Sequence, residues 1–396
     1  MAPDLEPMRP TWAEIDIAAF ERNVAVVAGM LPQGSRLIAV LKADAYGHGA
    51  VELARCCRPE LVAMIATSLL EEALELRHAG IGLPLFVLGP IKAAQIEEAA
   101  DNDIAIGVVG PEELAAVCAF ARSREVTIHL KLDSGMGRMG VVESDLPRVI
   151  EMIRATPRLR IAGLYTHFAD ADDPEDPHTD AQIATFQRSV GILREHGIDP
   201  PLHHLANSAA TMRRLVTPGD WVRVGLSLFG GEPLVGAESK LEPVMRWRTE
   251  IARLKELPAG KTVGYGSTFR TTRLSRIATL PVGYADGYNR LLSNRGEVLV
   301  RGRRAPVIGR VSMDLVTIDV TDIADASAGD EVVLLGSQGG ETVSAEEIAE
   351  RIGTISYEVF CAVSARVPRV YCAGRKVFVR SRFDRYDARL ATGSER

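Results

Sequence analysis

Three basic side chains stand where they could do chemistry, two of them, Lys42 and Arg223, within or at the end of apolar runs. Lys42 directly follows Ile38-Ala39-Val40-Leu41 and precedes Ala43-Asp44-Ala45-Tyr46-Gly47-His48-Gly49. An ammonium half-buried at the end of an apolar strand loses hydration, which lowers its pKa and supplies the neutral amine that a Schiff base with a carbonyl cofactor requires. The same position suits a lysine that snorkels, its stem on the strand and its charge in water. Arg223 lies inside Val222-Arg223-Val224-Gly225-Leu226, and a guanidinium buried in a strand must find acceptors. Ser208 opens a helical stretch and Gly225 permits close backbone approach, so the two together suit a phosphate pocket; Ser208 as a plain N-cap is the alternative. Arg138 occupies a glycine-rich loop, where its planar fork suits a carboxylate, a solvated loop arginine being the alternative.

Two nominal motifs are set aside. Gly135-Met136-Gly137-Arg138-Met139-Gly140 matches G-x-G-x-x-G after a strand. A dinucleotide fingerprint belongs in a first βαβ unit with a helix directly behind its third glycine, whereas this is the fifth strand. His203-His204 and the acidic run Asp170, Asp172, Asp173, Glu175, Asp176 invite a metal. Adjacent strand residues point to opposite faces, and the acids are most simply a solvated loop, so no metal site is expected.

The elements that must position these residues are regular. Apolar β-type runs recur at 37–42, 61–66, 85–88, 104–109, 126–132, 161–167, 202–206 and 222–229, with helical stretches between them, several opened by Ser, Thr or Pro. This alternation predicts an α/β architecture with an N-terminal (β/α)8 TIM-type barrel, an open parallel sheet being the alternative. In a barrel the strand ends share one face, and Lys42, Lys131, Asp133, His167, Asn207 and Ser208 stand at or just beyond strand ends. An amphipathic helix, 17–30, precedes the first barrel strand. Beyond about residue 237 the pattern changes to strands at 245–257, 276–280, 297–300, 311–320 and 332–335, with one helix at 344–352 capped by Ser344. The division is a barrel over 11–237 and a mostly-β domain over 238–388, joined by a turn-rich hinge at 230–236.

Composition narrows the partners. The 396 residues carry 46 Lys and Arg against 52 Asp and Glu, a net charge of -6, so no basic surplus exists to engage nucleic acid or an anionic membrane. The five cysteines lack metal-ligand spacing and read as reduced thiols. No signal peptide or membrane-length apolar run is seen, and a soluble cytoplasmic protein is expected.

The order of the motifs resembles that of the alanine racemase family. The matching stretches are Arg9-Pro10-Thr11-Trp12-Ala13-Glu14-Ile15-Asp16, Val40 through Gly49, Gly135-Met136-Gly137-Arg138, Tyr165-Thr166-His167-Phe168, Ala206-Asn207-Ser208-Ala209-Ala210, Val263-Gly264-Tyr265-Gly266, Gly283 through Tyr288 and Arg310-Val311-Ser312-Met313-Asp314. Val224 stands where relatives commonly have proline and Ser312 where many have cysteine. The resemblance implies a pyridoxal 5'-phosphate enzyme that interconverts L- and D-alanine, for peptidoglycan or alanine catabolism. It implies that Lys42 binds the cofactor aldehyde and acts as one base, with Tyr265 as the second on the opposite face, assisted by His167 and Arg223. A phenol is a poor base at neutral pH, which is why such assistance is needed.

By the same resemblance Arg223 meets the pyridine nitrogen, and Tyr46, Ser208, Tyr357 and the backbone of Gly225 and Leu226 hold the phosphate, with His167 and Asn207 also against the cofactor. Arg138 and the Met313 backbone hold the substrate carboxylate, and Lys131 matches a position carbamylated in some members. The family forms head-to-tail homodimers in which each β domain completes its partner's site. A serine racemase, a pyridoxal-dependent decarboxylase and a non-catalytic pyridoxal-phosphate carrier are the alternatives to an alanine racemase.

Overall fold

The computed structural model describes residues 9–234, 240–373 and 376–380, with no side-chain account of 376–378. The 237/238 division, the 235–236 part of the hinge and residues 381–388 of the second domain lie outside the described residues.

The eight apolar runs all form strands: β2 (Leu37–Val40), β3 (Val62–Thr67), β4 (Leu85–Val87), β5 (Ile104–Val108), β6 (Val126–Lys131), β7 (Leu159–Tyr165), β8 (Leu202–His204) and β9 (Val222–Val224), with β1 (Thr11–Asp16) preceding them. Strands β2 to β9 pair in parallel in the order β8-β7-β6-β5-β4-β3-β2-β9. A bridge between His204 and Trp221 brings the two ends together, so the sheet is a nearly closed barrel and not an open one. β2 and β3 are buried along their whole length, as expected of strands covered on both faces. Their interior is dense: Phe86, inaccessible to solvent, meets Tyr165 edge-on at 5.4 Å.

β1 is the element that local sequence did not reveal. It lies in the second domain's sheet, antiparallel to β10 (Met245–Glu250) and parallel to Arg369–Cys372. From there Asp16 caps the helix Ile17–Gly29 by accepting from Ala19 N–H at 2.9 Å, and that helix leads into the barrel. Asn23 on its buried face donates to Glu242 O at 2.8 Å and accepts from Glu242 N–H at 2.8 Å, fastening it to the chain that leaves the barrel.

The second domain is mostly β, with three corrections. The run 245–257 is two strands, Met245–Glu250 and Arg253–Leu257, which belong to different sheets. The run 311–320 is a strand only at Val316–Asp319, leaving Ser312 and Met313 in a loop. A second helix, Ser356–Ala362, follows the expected one at Ala345–Ile352 and carries Tyr357. No helix among the described residues is long and apolar enough to cross a membrane.

One local feature departs from ordinary chain geometry. Ala43, Asp44, Ala45 and Tyr46 all have φ between 52° and 55°, and Gly47 follows at 78°. The segment behind Lys42 is therefore a left-handed turn. Left-handed residues other than glycine cost about 1–2 kcal/mol each and occur singly, so four in succession need external support.

Candidate active site

The strand ends converge on a cavity of about 350 Å³. Eleven of the residues singled out from sequence line it: Lys42, Tyr46, Lys131, Arg138, His167, Asn207, Ser208, Arg223, Gly225, Leu226 and Tyr357. Val40, Ser68, Leu88, Gly89, Pro90, Met139 and Tyr165 complete the wall and had not been assigned a role. Tyr265 and Met313 are elsewhere on this chain, 73% and 54% exposed.

The lining carries four cationic side chains, Lys42, Lys131, Arg138 and Arg223, and no carboxylate. Such a cavity is built for a multiply charged anion. Burial, and after it the charge of Arg138, lowers the pKa of Lys42. Burial, then Arg138 and Arg223, brings Lys131 down to about 8. Both amines are thereby moved toward the neutral, nucleophilic form. Between the cations lies Tyr165, its ring 5.9 Å from Lys131 Nζ and 5.5 Å from Arg223 Cζ.

Arg223 finds its acceptors among backbone carbonyls. Its Nη atoms donate to Thr166 O at 2.5 Å, to Leu205 O at 3.1 Å and to His204 O. They also donate to His204 Nδ1 at 3.1 Å and His167 Nδ1 at 3.2 Å. Its Nε has no acceptor among the described residues, although the side chain lines the cavity. Because a guanidinium only donates, both histidines accept at Nδ1 and, when neutral, carry their proton on Nε2. His204 passes this order on: its Nε2 lies 2.8 Å from His129 Nδ1 and donates to it. His203 points away from the barrel interior, with its ring against Phe186 at 5.9 Å, so the two neighbouring histidines do not share a site.

These buried histidines make the fold acid-sensitive. Burial holds His129 and His48 at about 3, far below the ordinary 6.5. The unfolded chain therefore takes up protons first, and stability falls with pH between about 6.5 and 3, by about 1.4 kcal/mol per pH unit for each histidine. Chemical denaturation of His129→Gln is expected to show a shallower loss between pH 7 and 5 than the unchanged protein. Equal slopes would show that His129 does not titrate in that window.

The remaining contacts shape the cavity. Gly225 N–H donates to Ser208 Oγ at 3.2 Å, while Asn207, not Ser208, caps the following helix by accepting from Ala210 N–H at 3.0 Å. A Cβ on Gly225 would lie 2.3 Å from the Tyr46 hydroxyl, so this glycine gives the tyrosine its place at the wall. Asp133 accepts from Gly135 N–H at 3.0 Å and Gly137 N–H at 3.1 Å, folding the loop that presents Arg138. That loop has glycines at positive φ at 135, 137 and 140 and no helix directly behind them, as the rejection of a dinucleotide fingerprint required.

Comparison with known proteins agrees with this geometry. Residues 15–233 match the family model "Alanine racemase, N-terminal domain" and residues 244–371 match "Alanine racemase, C-terminal domain". An alanine racemase of Halothermothrix orenii is 43% identical, over 92% of this chain and 97% of its own. One of Symbiobacterium thermophilum is 40% identical, over 93% and 98%. Among solved structures, the alanine racemase of Bacillus anthracis with bound L-Ala-P superposes with a TM-score of 0.90 at 37% identity, covering 96% of this chain and all of that one. The chain belongs to the alanine racemase family, a family of pyridoxal 5'-phosphate-dependent isomerases.

Proposed function

We propose that the protein racemises alanine on pyridoxal 5'-phosphate held in the barrel cavity, and that two copies build each site together. The observation that carries this reading is Lys42 and the free Nε of Arg223 facing one carboxylate-free, cation-lined cavity. The residues fit the cofactor: Arg223 Nε would meet the pyridine nitrogen, and Tyr46, Ser208, Tyr357 and the Gly225–Leu226 backbone would hold the phosphate, with Asn207 and His167 beside them. When bound, pyridoxal phosphate supplies the electron sink that lets an amino acid lose its α-proton.

The protein's own groups then handle that proton. Lys42, with its amine brought toward neutrality by burial, holds it on one face. Tyr265 of the partner subunit serves the other face, because its own chain's cavity does not contain it. His167, a neutral imidazole with its proton on Nε2, can donate to that tyrosine's oxygen and so favour the phenolate. Arg138, together with the partner subunit's Met313 backbone, takes the substrate carboxylate. Lys131, brought down to about 8, suits carbamylation, which would set an anion beside Arg138.

A head-to-tail homodimer accounts for Tyr265, Tyr284, Met313 and Leu315 all standing exposed on the second domain. On this reading the barrel binds the cofactor, the second domain completes the neighbouring barrel, and the enzyme works in the cytoplasm to supply or consume D-alanine. The decarboxylase and carrier readings are not favoured, since the relatives are racemases and the second domain is present. Cofactor-loaded protein given L-alanine is expected to bring the circular dichroism of the amino acid to zero with no loss of alanine. A flat trace, or release of carbon dioxide, would overturn the reading.

A further inference from the structure

The left-handed turn Ala43–Gly47 carries two cavity residues, Lys42 at its entrance and Tyr46 near its end, and its conformation is one that alanine and tyrosine do not choose. Both of its ends are held from outside. At the first peptide, Ala43 N–H donates to Glu72 Oε1 at 2.6 Å, while Glu72 Oε2 accepts from Ser68 N–H at 2.8 Å and Leu69 N–H at 3.1 Å. One carboxylate thus joins the turn to the loop that follows β3. At the last residue, Gly47 O accepts from Arg369 Nε at 3.0 Å and Nη2 at 2.9 Å. The other N–H groups of Arg369 go to Val363 O, Ser364 O and Val367 O at 2.5–2.7 Å. All five donors of this buried guanidinium are satisfied by carbonyls, and its side chain spans from the second domain to the turn.

We infer that Glu72 and Arg369 are positioning residues that brace the turn from the barrel and from the second domain, and so place Lys42 and Tyr46 for the cofactor. The inference rests on the proposed cofactor role of Lys42. It also gives the second domain a task in its own chain's site: docking through Arg369 sets the cofactor lysine.

The test uses holoenzyme carrying Glu72→Gln or Arg369→Lys. Glutamine keeps the shape of Glu72 but exchanges one acceptor oxygen for a donor, and lysine cannot make the paired contact to Gly47 O. Cofactor is expected to bind roughly ten- to a hundredfold more weakly in each variant, the usual consequence of losing a charge-assisted hydrogen bond. Amide exchange is expected to rise selectively at residues 43–48. Adding Ala43→Gly, which favours left-handed backbone, is expected to recover part of the loss.

Cofactor affinity within about twofold of the original and unchanged exchange at 43–48 would overturn the brace. So would exchange raised evenly through the protein without rescue by the glycine, since that is what a general loss of stability produces. Glu72 is only partly buried, so Glu72→Gln decides the matter if Arg369→Lys does not fold. Borohydride reduction of the original holoenzyme, followed by peptide mapping, tests the underlying reading separately. A cofactor tag on a lysine other than Lys42 would sink the assignment of Lys42, whatever the variants do.

Discussion

Co-expressing two inactive variants, Lys42→Ala and Tyr265→Phe, should restore activity to about a quarter of the wild-type value. Each variant alone lacks one of the two groups that move the α-proton and is expected to lose about 10²–10⁴-fold in rate. In a random mixture about half of the dimers pair unlike chains. In such a dimer one site joins the intact Lys42 barrel of the Tyr265→Phe chain to the intact Tyr265 of the Lys42→Ala chain, while the other site has neither. If Tyr265 served the lysine of its own chain, no combination would contain both groups and the mixture would stay inactive. Isolating the mixed dimer with two different affinity tags and assaying it against each parent settles the point. The basis for the expectation is positional: Tyr265 is 73% exposed on a domain whose own barrel cavity excludes it.

Replacing Arg138 by Met should raise KM for alanine by about a hundredfold or more while leaving the cofactor bound. Arg138 lines the cavity, and no carboxylate among the described residues pairs with it. A guanidinium at the cavity with no Asp or Glu partner among the described residues is suited to a carboxylate supplied by the substrate, with a carbamate on Lys131 orienting it if one forms. Arg138 is exposed on this chain, and once the partner subunit covers the site, losing a charge-assisted pair costs about 3 kcal/mol, which is where the hundredfold comes from. Relief of the repulsion that Arg138 exerts on Lys42 should also move the Lys42 pKa upward, visible as a shift of the pH profile to higher pH. An unchanged KM with a fall in kcat alone would mean that Arg138 acts on the reacting groups and not on substrate binding.

What the sequence revealed and what it concealed follow from the range of the forces involved. The eight barrel strands were legible because each lies in a short, largely apolar run set between helical stretches, a local property. Their C-terminal ends then collected Lys42, Lys131, His167 and Asn207 by the geometry of a parallel barrel alone. β1 was not legible, because the partners that make Thr11–Asp16 a strand lie at 245–249 and 369–372. The turn after Lys42 was concealed for a related reason. Alanine and tyrosine do not favour left-handed backbone, and the contacts that hold both ends of the turn come from residues well beyond it in the chain, Glu72 and Arg369. Asn207 and Ser208 are both sound capping residues, so only the structure could show that the first caps and the second meets Gly225.

The placement of β1 also bears on how the molecule is made. Its strand lies between β10 and Arg369–Cys372, inside the sheet and not at its edge, and Arg9 beside it donates to the buried carboxylate of Asp286 at 2.5 and 2.6 Å. β1 must therefore wait for partners far along the chain, about 230 to 240 residues for β10 and more than 350 for Arg369–Cys372. The barrel can close from contacts between neighbouring strands, but the second domain's sheet is completed only when its last strands arrive to flank a strand that precedes the barrel. Slow maturation of that domain, and its failure when residues 245 onward are expressed without the N-terminal strand, are the expected consequences of this topology.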